Sequence, residues 1–257
     1  MSLHFSKYQA TGNDFVLVDN RDKKYLFTED EIKKICDRRF GVGADGLILI
    51  EKDDASDFKM IYYNSDGSQS LCGNGCRSAI DFARHLGLIS TATKFLAYDG
   101  AHDGQLLPNG LIRLKMANVN EVKKMGDNYF INTGSPHFVK FVDDLKNYPV
   151  LLEGQTIRHS KTFEPAGTNA NFAEFNNDNS ISVRTYERGV EDETYSCGTG
   201  VTAVALAASY HGYPSPISVK VLGGELLVEF KKDQNDTFED VFLVGPAKMV
   251  FEGEISL

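Results

Sequence analysis

The chain has 257 residues, of which 42% are hydrophobic and 25% charged, as is typical of a folded globular protein of one or two domains. Acidic residues outnumber basic ones by 36 to 27, and the net charge of −9 disfavours nucleic acid or an anionic membrane as a partner, since both bind basic side chains. No apolar run approaches the roughly 18 residues of a membrane span, and the N-terminus lacks the apolar core of a signal peptide. We therefore expect a cytoplasmic protein with no membrane or nucleic-acid partner, whose four cysteines are free thiols.

Short segments of alternating polarity predict a chain rich in β-strands. Strands are predicted at 3–8, 15–19, 47–51, 58–63, 111–116, 137–142, 170–175, 181–186, 217–222, 226–231 and 241–244. A helix is predicted over 28–39, where Thr28 and Glu31 have capping-box spacing and Cys36 lies on the apolar face as a core residue. Two further helices, over 75–86 and 200–211, each follow a glycine-rich turn and stop at a glycine.

Those two helices follow a repeated cysteine motif. Cys72-Gly73-Asn74-Gly75 and Cys197-Gly198-Thr199-Gly200 lie 125 residues apart, and each cysteine precedes the glycine that ends its helix by 15 residues. We interpret the chain as two homologous halves joined between 118 and 127. Residues 1–120 contain Cys72 and residues 121–257 contain Cys197, with the segment after about 246 expected to pack back on the first half.

A cysteine immediately before a helix lies among unpaired backbone N–H groups at the positive end of the helix dipole, which favours its thiolate. The glycines let the backbone approach a ligand closely, so that the same N-terminus can bind a carboxylate. Two such thiols on opposite sides of one molecule suit one reaction in particular: one removes a proton from a stereocentre and the other returns it to the opposite face. A glycine turn with a small buried cysteine is the structural alternative.

Other motifs give no functional signal. Cys72 and Cys76 lie in a C-x-x-x-C arrangement without a second ligand pair, so no metal site is expected. The segment 41–46 fits G-x-G-x-x-G, but it follows a helix and precedes a strand, the reverse of a dinucleotide-binding turn. The sequence also lacks a Walker motif, G-x-S-x-G and H-E-x-x-H.

Longer motifs surround the two cysteines. The first runs from Asn64-Ser65-Asp66-Gly67-Ser68 to the Cys72 motif, the second from Glu187-Arg188-Gly189-Val190 to the Cys197 motif; segments 12–15 and 167–172 accompany them. Together they resemble the diaminopimelate epimerase family from end to end. The resemblance implies an α+β fold of two pseudo-symmetric halves, each a curved, mostly antiparallel sheet wrapped around a central helix, with the active site in the cleft between them. It also implies a cofactor-free cytoplasmic enzyme, commonly a homodimer, that interconverts LL- and meso-2,6-diaminopimelate on the way to lysine and peptidoglycan.

The resemblance implies roles for individual residues as well. Cys72 and Cys197 are the acid/base pair, while His137 and Glu187 tune the two thiols, which must be held in opposite protonation states. Arg188 suits a bidentate grip on the distal carboxylate. The implied substrate-binding residues are Asn13, Asn64, Gly73, Asn74, Asn171, Glu187, Arg188, Gly198 and Thr199.

Two departures from the family pattern affect recognition of the distal end of the substrate. Ser135 stands where many members have asparagine, and Gly46 stands where some have a substrate-contacting glutamine. We expect the lost asparagine contact to be absent or bridged by water. The departures leave the proton-transfer chemistry untouched.

Three other functions remain open from sequence. A proline racemase or hydroxyproline epimerase also uses paired cysteines, but its first motif usually reads Cys-Gly-His-Gly, whereas this chain has Asn74. A phenazine-biosynthesis isomerase shares the fold and lacks the cysteine pair. A redox-sensing amino-acid-binding protein would use the same thiols without proton exchange.

Overall fold

Segments with alternating buried and exposed side chains form many of the strands in this protein, whose computed structural model describes residues 2–256. The chain divides into two units, Met1–Leu114 with Gly245–Leu257, and Lys115–Val244. Up to residue 115 the elements are β1 (Ser2–Ala10), β2 (Asn13–Asp19), α1 (Glu29–Cys36), β3 (Gly46–Glu51), β4 (Phe58–Asn64), α2 (Gly73–His85), β5 (Ala92–Ala97), β6 (Gly100–Leu106) and β7 (Ile112–Lys115). They are followed by β8 (Val122–Met125), β9 (Asn128–Asn132), β10 (Pro136–Phe141), α3 (Val150–Arg158), β11 (Asn169–Phe175), β12 (Ile181–Glu187), β13 (Asp192–Thr194), α4 (Gly198–Ala208), β14 (Ile217–Val221), β15 (Gly224–Lys232), β16 (Phe238–Gly245) and β17 (Lys248–Ser256).

The first unit is a mostly antiparallel arrangement of strands around α2. β1 and β2 form a hairpin, β2 pairs in parallel with β3, β3 antiparallel with β4, β4 in parallel with β5, and β5 to β7 are antiparallel neighbours. β17, from the end of the chain, pairs antiparallel with β1. Helix α2 packs against β1, β2, β3, β4 and β6 and buries Cys76, Ile80, Phe82 and Ala83.

The second unit repeats this order of pairings around α4. β9 and β10 are antiparallel, β10 and β11 parallel, β11 and β12 antiparallel, β12 and β14 parallel, and β14 to β16 antiparallel, with β8 alongside β9. Parallel neighbours need a long crossover connection. α1 and α2 provide it in one unit and α3 and α4 in the other, so the topology repeats as the two cysteine motifs predict.

The central helix of the second unit is almost entirely apolar because strands surround it. Every residue of α4 except Thr199 is buried, and the helix packs against β9, β10, β11, β12, β14 and β15. Its core partners include Ile131, Val139, Val183 and Val228. A helix that is apolar all round is a buried core helix, so the surrounding strands set the position of its N-terminus.

Some features agree with the sequence predictions and several elements differ from them. α1 has both hydrogen bonds of the predicted capping box between Thr28 and Glu31, and Cys36 lies in the core as predicted. α2 and α4 each begin two residues earlier than predicted, because Cys72 and Cys197 are themselves the N-caps. The sequence analysis missed α3 and the strands β5, β6, β8, β9, β13 and β17, many of which are short, polar or exposed. Among residues 2–256, no helix is long and apolar enough to cross a membrane.

Candidate active site

The first cysteine motif places its thiol at the N-terminus of α2. Cys72 has extended backbone angles, and its Sγ accepts a hydrogen bond from the backbone N–H of Gly75 at 3.4 Å. The first turn of α2 contains no acidic side chain, so the positive end of the helix dipole is not neutralised locally. The half-buried Cys72 thiol therefore lies in a setting that stabilises negative charge.

Two of the predicted substrate-binding asparagines contact each other beside this thiol. Asn74 Nδ2 donates to Asn13 Oδ1 at 3.1 Å, and Cys72 Sγ lies 3.5 Å from the same oxygen. The amide of Asn13 in turn donates to Asp45 at 2.6 Å, while Arg77 Nη2 donates to Asn74 Oδ1 at 2.8 Å. Since arginine only donates and a carboxylate only accepts, this series of hydrogen bonds fixes the orientation of both amides.

Near the Cys72 thiol, the guanidinium of Arg77 is completely buried, which is unusual for a charged group. Its Nη2 contacts Asn74 and Thr11, whereas Nε and Nη1 have no hydrogen-bond partner. Burial lowers the pKa of Arg77 to about 10, so the group is still charged at neutral pH. The sequence analysis gave Arg77 no role, since burial of a charge cannot be seen in a sequence.

Asn64, also predicted to bind substrate, closes the turn that leads towards Cys72. Its Nδ2 donates to the carbonyl and the hydroxyl of Ser68, at 3.3 and 3.0 Å, and its Oδ1 accepts from Ser70 at 3.2 Å. These contacts are those of a turn residue. The side chain remains half-exposed.

The second cysteine motif begins α4 in the same manner. Cys197 is the extended N-cap of the helix, and the first turn again contains no acidic side chain. Its Sγ lies 3.5 Å from the hydroxyl of Thr199, which lies 2.9 Å from His137 Nε2. The predicted tuning residue His137 is thus connected to Cys197 through one hydroxyl.

His137 is fully buried in β10. Burial, with a further contribution from the positive charge of Arg188, lowers the pKa of His137 to about 3. The imidazole is therefore neutral at physiological pH. It can orient hydrogen bonds near Cys197, but it does not exchange a proton with the thiol at that pH.

Asn171 lies under this histidine in the fully buried part of β11. Its Nδ2 donates to His137 Nδ1 at 3.1 Å and to the carbonyl of Phe138 at 2.9 Å, and its Oδ1 accepts from the hydroxyl of Thr185 at 2.9 Å. Each polar atom of the amide is thus engaged within the protein. The structure therefore favours a supporting position for Asn171 over the direct substrate contact expected from sequence.

A different asparagine, which the sequence analysis did not single out, lies beside Arg188. Asn169 Nδ2 donates to Ser135 Oγ at 3.0 Å, and its Oδ1 accepts from the backbone N–H of Arg188 at 2.8 Å. The guanidinium of Arg188 lies 3.5 Å from the same Ser135 hydroxyl and 3.2 Å from the carbonyl of Ala166. Ser135 therefore occupies a polar cluster. The signal for Asn169 is its spacing, because residues two apart in a strand share one face.

Glu187 is half-buried at the end of β12, and its carboxylate accepts from the hydroxyl of Thr194 at 2.9 Å.

Gly46 begins β3, where a Cβ atom would lie 2.4 Å from the ring of Tyr62 and 2.5 Å from the carbonyl of Tyr63. Real Cβ atoms do not approach so closely, so the packing of Tyr62 requires glycine here. The glutamine found in some members of the family would need a rearranged strand.

The other two cysteines are core residues. Cys36 and Cys76 are buried, and burial raises the pKa of both thiols, that of Cys36 to about 12. Within residues 2–256, all four cysteines are free thiols, and the histidine, cysteine and acidic side chains form no cluster able to hold a metal ion. The candidate reactive thiols are therefore those at the two helix N-termini.

The sequence of the chain is similar to those of known proteins. The family model described as diaminopimelate epimerase matches residues 5–126 and again residues 129–250. A diaminopimelate epimerase of Flavobacterium psychrophilum is 51% identical over 256 residues, covering 97% of this chain and 98% of the relative.

Two solved structures have a similar fold. A PhzF-family phenazine biosynthesis protein of Bacillus anthracis aligns over the whole of both chains with a TM-score of 0.78 and 17% identity. A hydroxyproline epimerase of Agrobacterium vitis, solved with trans-4-hydroxy-L-proline, aligns over 100% of this chain and 93% of its own, with a TM-score of 0.68 and 15% identity. At these identities the likeness concerns the fold alone. The predicted α+β fold of two repeated halves is confirmed, and with it the resemblance: the chain is an isomerase that belongs to the diaminopimelate epimerase family.

Proposed function

We propose that this enzyme interconverts LL- and meso-2,6-diaminopimelate without a cofactor, with Cys72 and Cys197 as its acid and base. The observation that supports this most directly is that the two cysteines occupy equivalent N-cap positions on the central helices of two repeated units. The thiolate of one cysteine removes the α-proton as the thiol of the other delivers a proton to the opposite face. Each turnover therefore leaves the two protonation states exchanged.

The α-carboxylate is the proposed ligand of the two helix N-termini. Removing an α-proton builds negative charge on the α-carbon and its carboxylate, and preorganised backbone N–H groups stabilise that charge. Gly73-Asn74 and Gly198-Thr199 provide such groups at the positive ends of α2 and α4. Excluding water from the site strengthens these interactions further.

The distal end of the substrate is the proposed ligand of Arg188 and its neighbours. A guanidinium pairs with a carboxylate through two parallel hydrogen bonds. Asn169 and Ser135 lie within hydrogen-bond distance of Arg188, so we assign distal recognition to these three residues together with Glu187. Asn13 and Asn74, which lie beside Cys72, and Asn64 keep the substrate-binding role that the resemblance implies. Asn171 is assigned to positioning of His137, as its buried contacts indicate.

The decisive experiment is isomerisation of LL-diaminopimelate in deuterated solvent by dialysed enzyme without added cofactor. We expect incorporation of solvent deuterium at the α-carbon and an equilibrium mixture of LL and meso forms. Cys72→Ala and Cys197→Ala should each lower kcat/KM by about 10² to 10⁴, as loss of a positioned acid or base does. Cys36→Ala, which removes a buried thiol outside the motifs, is the matched control.

The same assay separates the alternatives. Turnover of proline or hydroxyproline without turnover of diaminopimelate would identify the other cysteine-dependent activity. Binding of diaminopimelate without deuterium exchange would identify a non-catalytic binding protein. Full activity of either active-site cysteine variant would contradict the two-thiol mechanism.

Two further properties are proposed from the family resemblance. The enzyme acts in the cytoplasm, where its thiols stay reduced. It assembles as a homodimer, which sedimentation velocity at several concentrations would test: a single species with the mass of one chain would contradict the assignment.

A further inference from the structure

The donor and the acceptor can be identified in each buried hydrogen bond of Asn171. The Phe138 carbonyl can only accept, so the atom of Asn171 that lies 2.9 Å from it must be the amide nitrogen. Thr185 then donates to Asn171 Oδ1 at 2.9 Å. Rotating the amide by 180° would bring two oxygens together at Phe138. The orientation of Asn171 is therefore determined independently of His137.

This orientation selects one tautomer of the histidine. Asn171 Nδ2 also lies 3.1 Å from His137 Nδ1, and because an amide NH₂ donates, Nδ1 must accept. The neutral ring then has its hydrogen on Nε2, which donates to the Thr199 hydroxyl oxygen at 2.9 Å. Arg188, the charged group that acts on His137, disfavours a second proton on the ring.

The hydroxyl of Thr199 links this histidine to the thiol of Cys197. Since the oxygen of Thr199 accepts the imidazole hydrogen, its own hydrogen is available to Cys197 Sγ at 3.5 Å. A hydrogen bond to the charged form of an acid stabilises that form. The relay, defined as Thr185, Asn171, His137 and Thr199, therefore provides a donor for the thiolate of Cys197.

Glycine at position 200 makes room for the relay. A Cβ atom there would lie 2.4 Å from Asn171 Oδ1 and 3.3 Å from His137 Cε1. For the equivalent Gly75 in the first motif, the three nearest atoms are Ile48 Cδ1, Met60 Cε and Cys72 Cβ, at 3.2 to 3.4 Å. The closest neighbours of a Cβ atom there are thus apolar.

We infer that Thr185 and Asn171 are positioning residues that lock His137 as its Nε2–H tautomer, so that Thr199 donates to Cys197 and favours its thiolate. The inference rests on the proposed function of Cys197, and it adds how that thiol is tuned and by which residues. His137 acts as a fixed neutral donor and neither gains nor loses a proton during turnover.

The tautomer is tested by NMR of substrate-free enzyme labelled with ¹⁵N-histidine, with His137 assigned from its absence in His137→Gln. We expect an unprotonated Nδ1 and a protonated Nε2 from pH 6 to pH 9. In Asn171→Leu the preference should be lost, giving a mixture of tautomers, and in Thr185→Val, where the Phe138 carbonyl still holds the amide, it should weaken less. A protonated Nδ1 in the unchanged enzyme would overturn the inference.

The effect on the thiol is tested by the pH profile of Cys197 alkylation by iodoacetamide, from initial rates for the Cys197 peptide by mass spectrometry. Thr199→Val should raise the pKa of Cys197 by about one unit, slowing alkylation roughly tenfold near neutral pH, while the plateau at high pH is unchanged. Thr199→Ser, which keeps the hydroxyl, should restore the profile. Thr202→Val removes another buried hydroxyl of α4, bonded to the carbonyl of Gly198, and serves as control.

These readouts need no diaminopimelate, so failure of the relay and failure of the proposed function are distinguishable. A profile unchanged in Thr199→Val, or shifted equally in Thr202→Val, would overturn the relay even in a fully active epimerase. The expected profiles in a protein without epimerase activity would leave the relay standing and refute the function.

Discussion

Replacing the fourth residue of each cysteine motif, Gly75 or Gly200, by alanine should destabilise the second unit far more than the first. At Gly200 the new Cβ would lie 2.4 Å from Asn171 Oδ1, about 1 Å inside ordinary van der Waals contact. A shift of that size is enough to break the 2.9 Å hydrogen bond from Thr185. At Gly75 the nearest atoms of other elements are the flexible ends of Ile48 and Met60, at 3.2 and 3.3 Å, which can move by a few tenths of an ångström.

The magnitudes follow from three effects. Overpacking a rigid core costs about 1 to 3 kcal/mol, and a buried hydrogen bond lost with it costs about 1 kcal/mol more. The better helix propensity of alanine offsets up to about 1 kcal/mol. Gly200→Ala should therefore lower the free energy of unfolding by about 2 kcal/mol, whereas Gly75→Ala should stay within about 0.5 kcal/mol of the unchanged protein.

Urea unfolding followed by circular dichroism measures both variants, and hydrogen exchange of the α2 and α4 amides assigns each loss to its helix. Faster exchange is expected in α4 of Gly200→Ala alone. Gly200→Ala should also raise the pKa of Cys197, because Asn171 is displaced. Equal stability of the two variants would refute the reasoning, since it would mean that the contact with Asn171 imposes no constraint.

Three further predictions concern buried groups. The pKa of His137 is about 3 in the folded protein and 6.5 in the unfolded chain, so between these two pH values the unfolded chain binds more protons. The free energy of unfolding should therefore fall by up to about 1.4 kcal/mol per pH unit from pH 6.5 towards pH 3. This slope should be smaller in His137→Gln but unchanged in His4→Gln. Arg77→Met removes a buried guanidinium with two unpaired nitrogens, but it also removes the donor of the buried Asn74 Oδ1; these effects are of similar size and opposite sign, so the free energy of unfolding should change by less than about 1 kcal/mol, while kcat/KM falls because Asn74 is no longer held. Gly46→Ala should destabilise the first unit by about 1 to 3 kcal/mol, measured by thermal unfolding.

Each of these three predictions has an outcome that would contradict it. An acid-stability slope in His137→Gln equal to that of the unchanged protein would mean that this histidine is not buried in its neutral form. A large loss of stability in Arg77→Met would show that the guanidinium has stabilising partners. Gly46→Ala with unchanged stability would show that Tyr62 can move aside.

The sequence by itself determined the family and the duplication, and it predicted which two cysteines begin the central helices. Cys72 and Cys197 precede glycines and helices in the same spacing, and local patterns of that kind depend on neighbouring residues alone. The capping box of α1 and the core position of Cys36 were predictable for the same reason. The N-caps themselves were misplaced by two residues, because glycine-rich first turns resemble loops.

Only the tertiary structure decided how the site is supported. Asn171 meets Thr185 across the antiparallel pair of β11 and β12, and it lies near His137 because β10 and β11 are parallel neighbours. Strand register depends on contacts between segments far apart in the chain, so no local pattern reveals it. Burial of Arg77 and the neutral state of His137 likewise follow from the surrounding packing. Sequence therefore located the two thiols proposed to react, whereas the packed interior determined which side chains surround them.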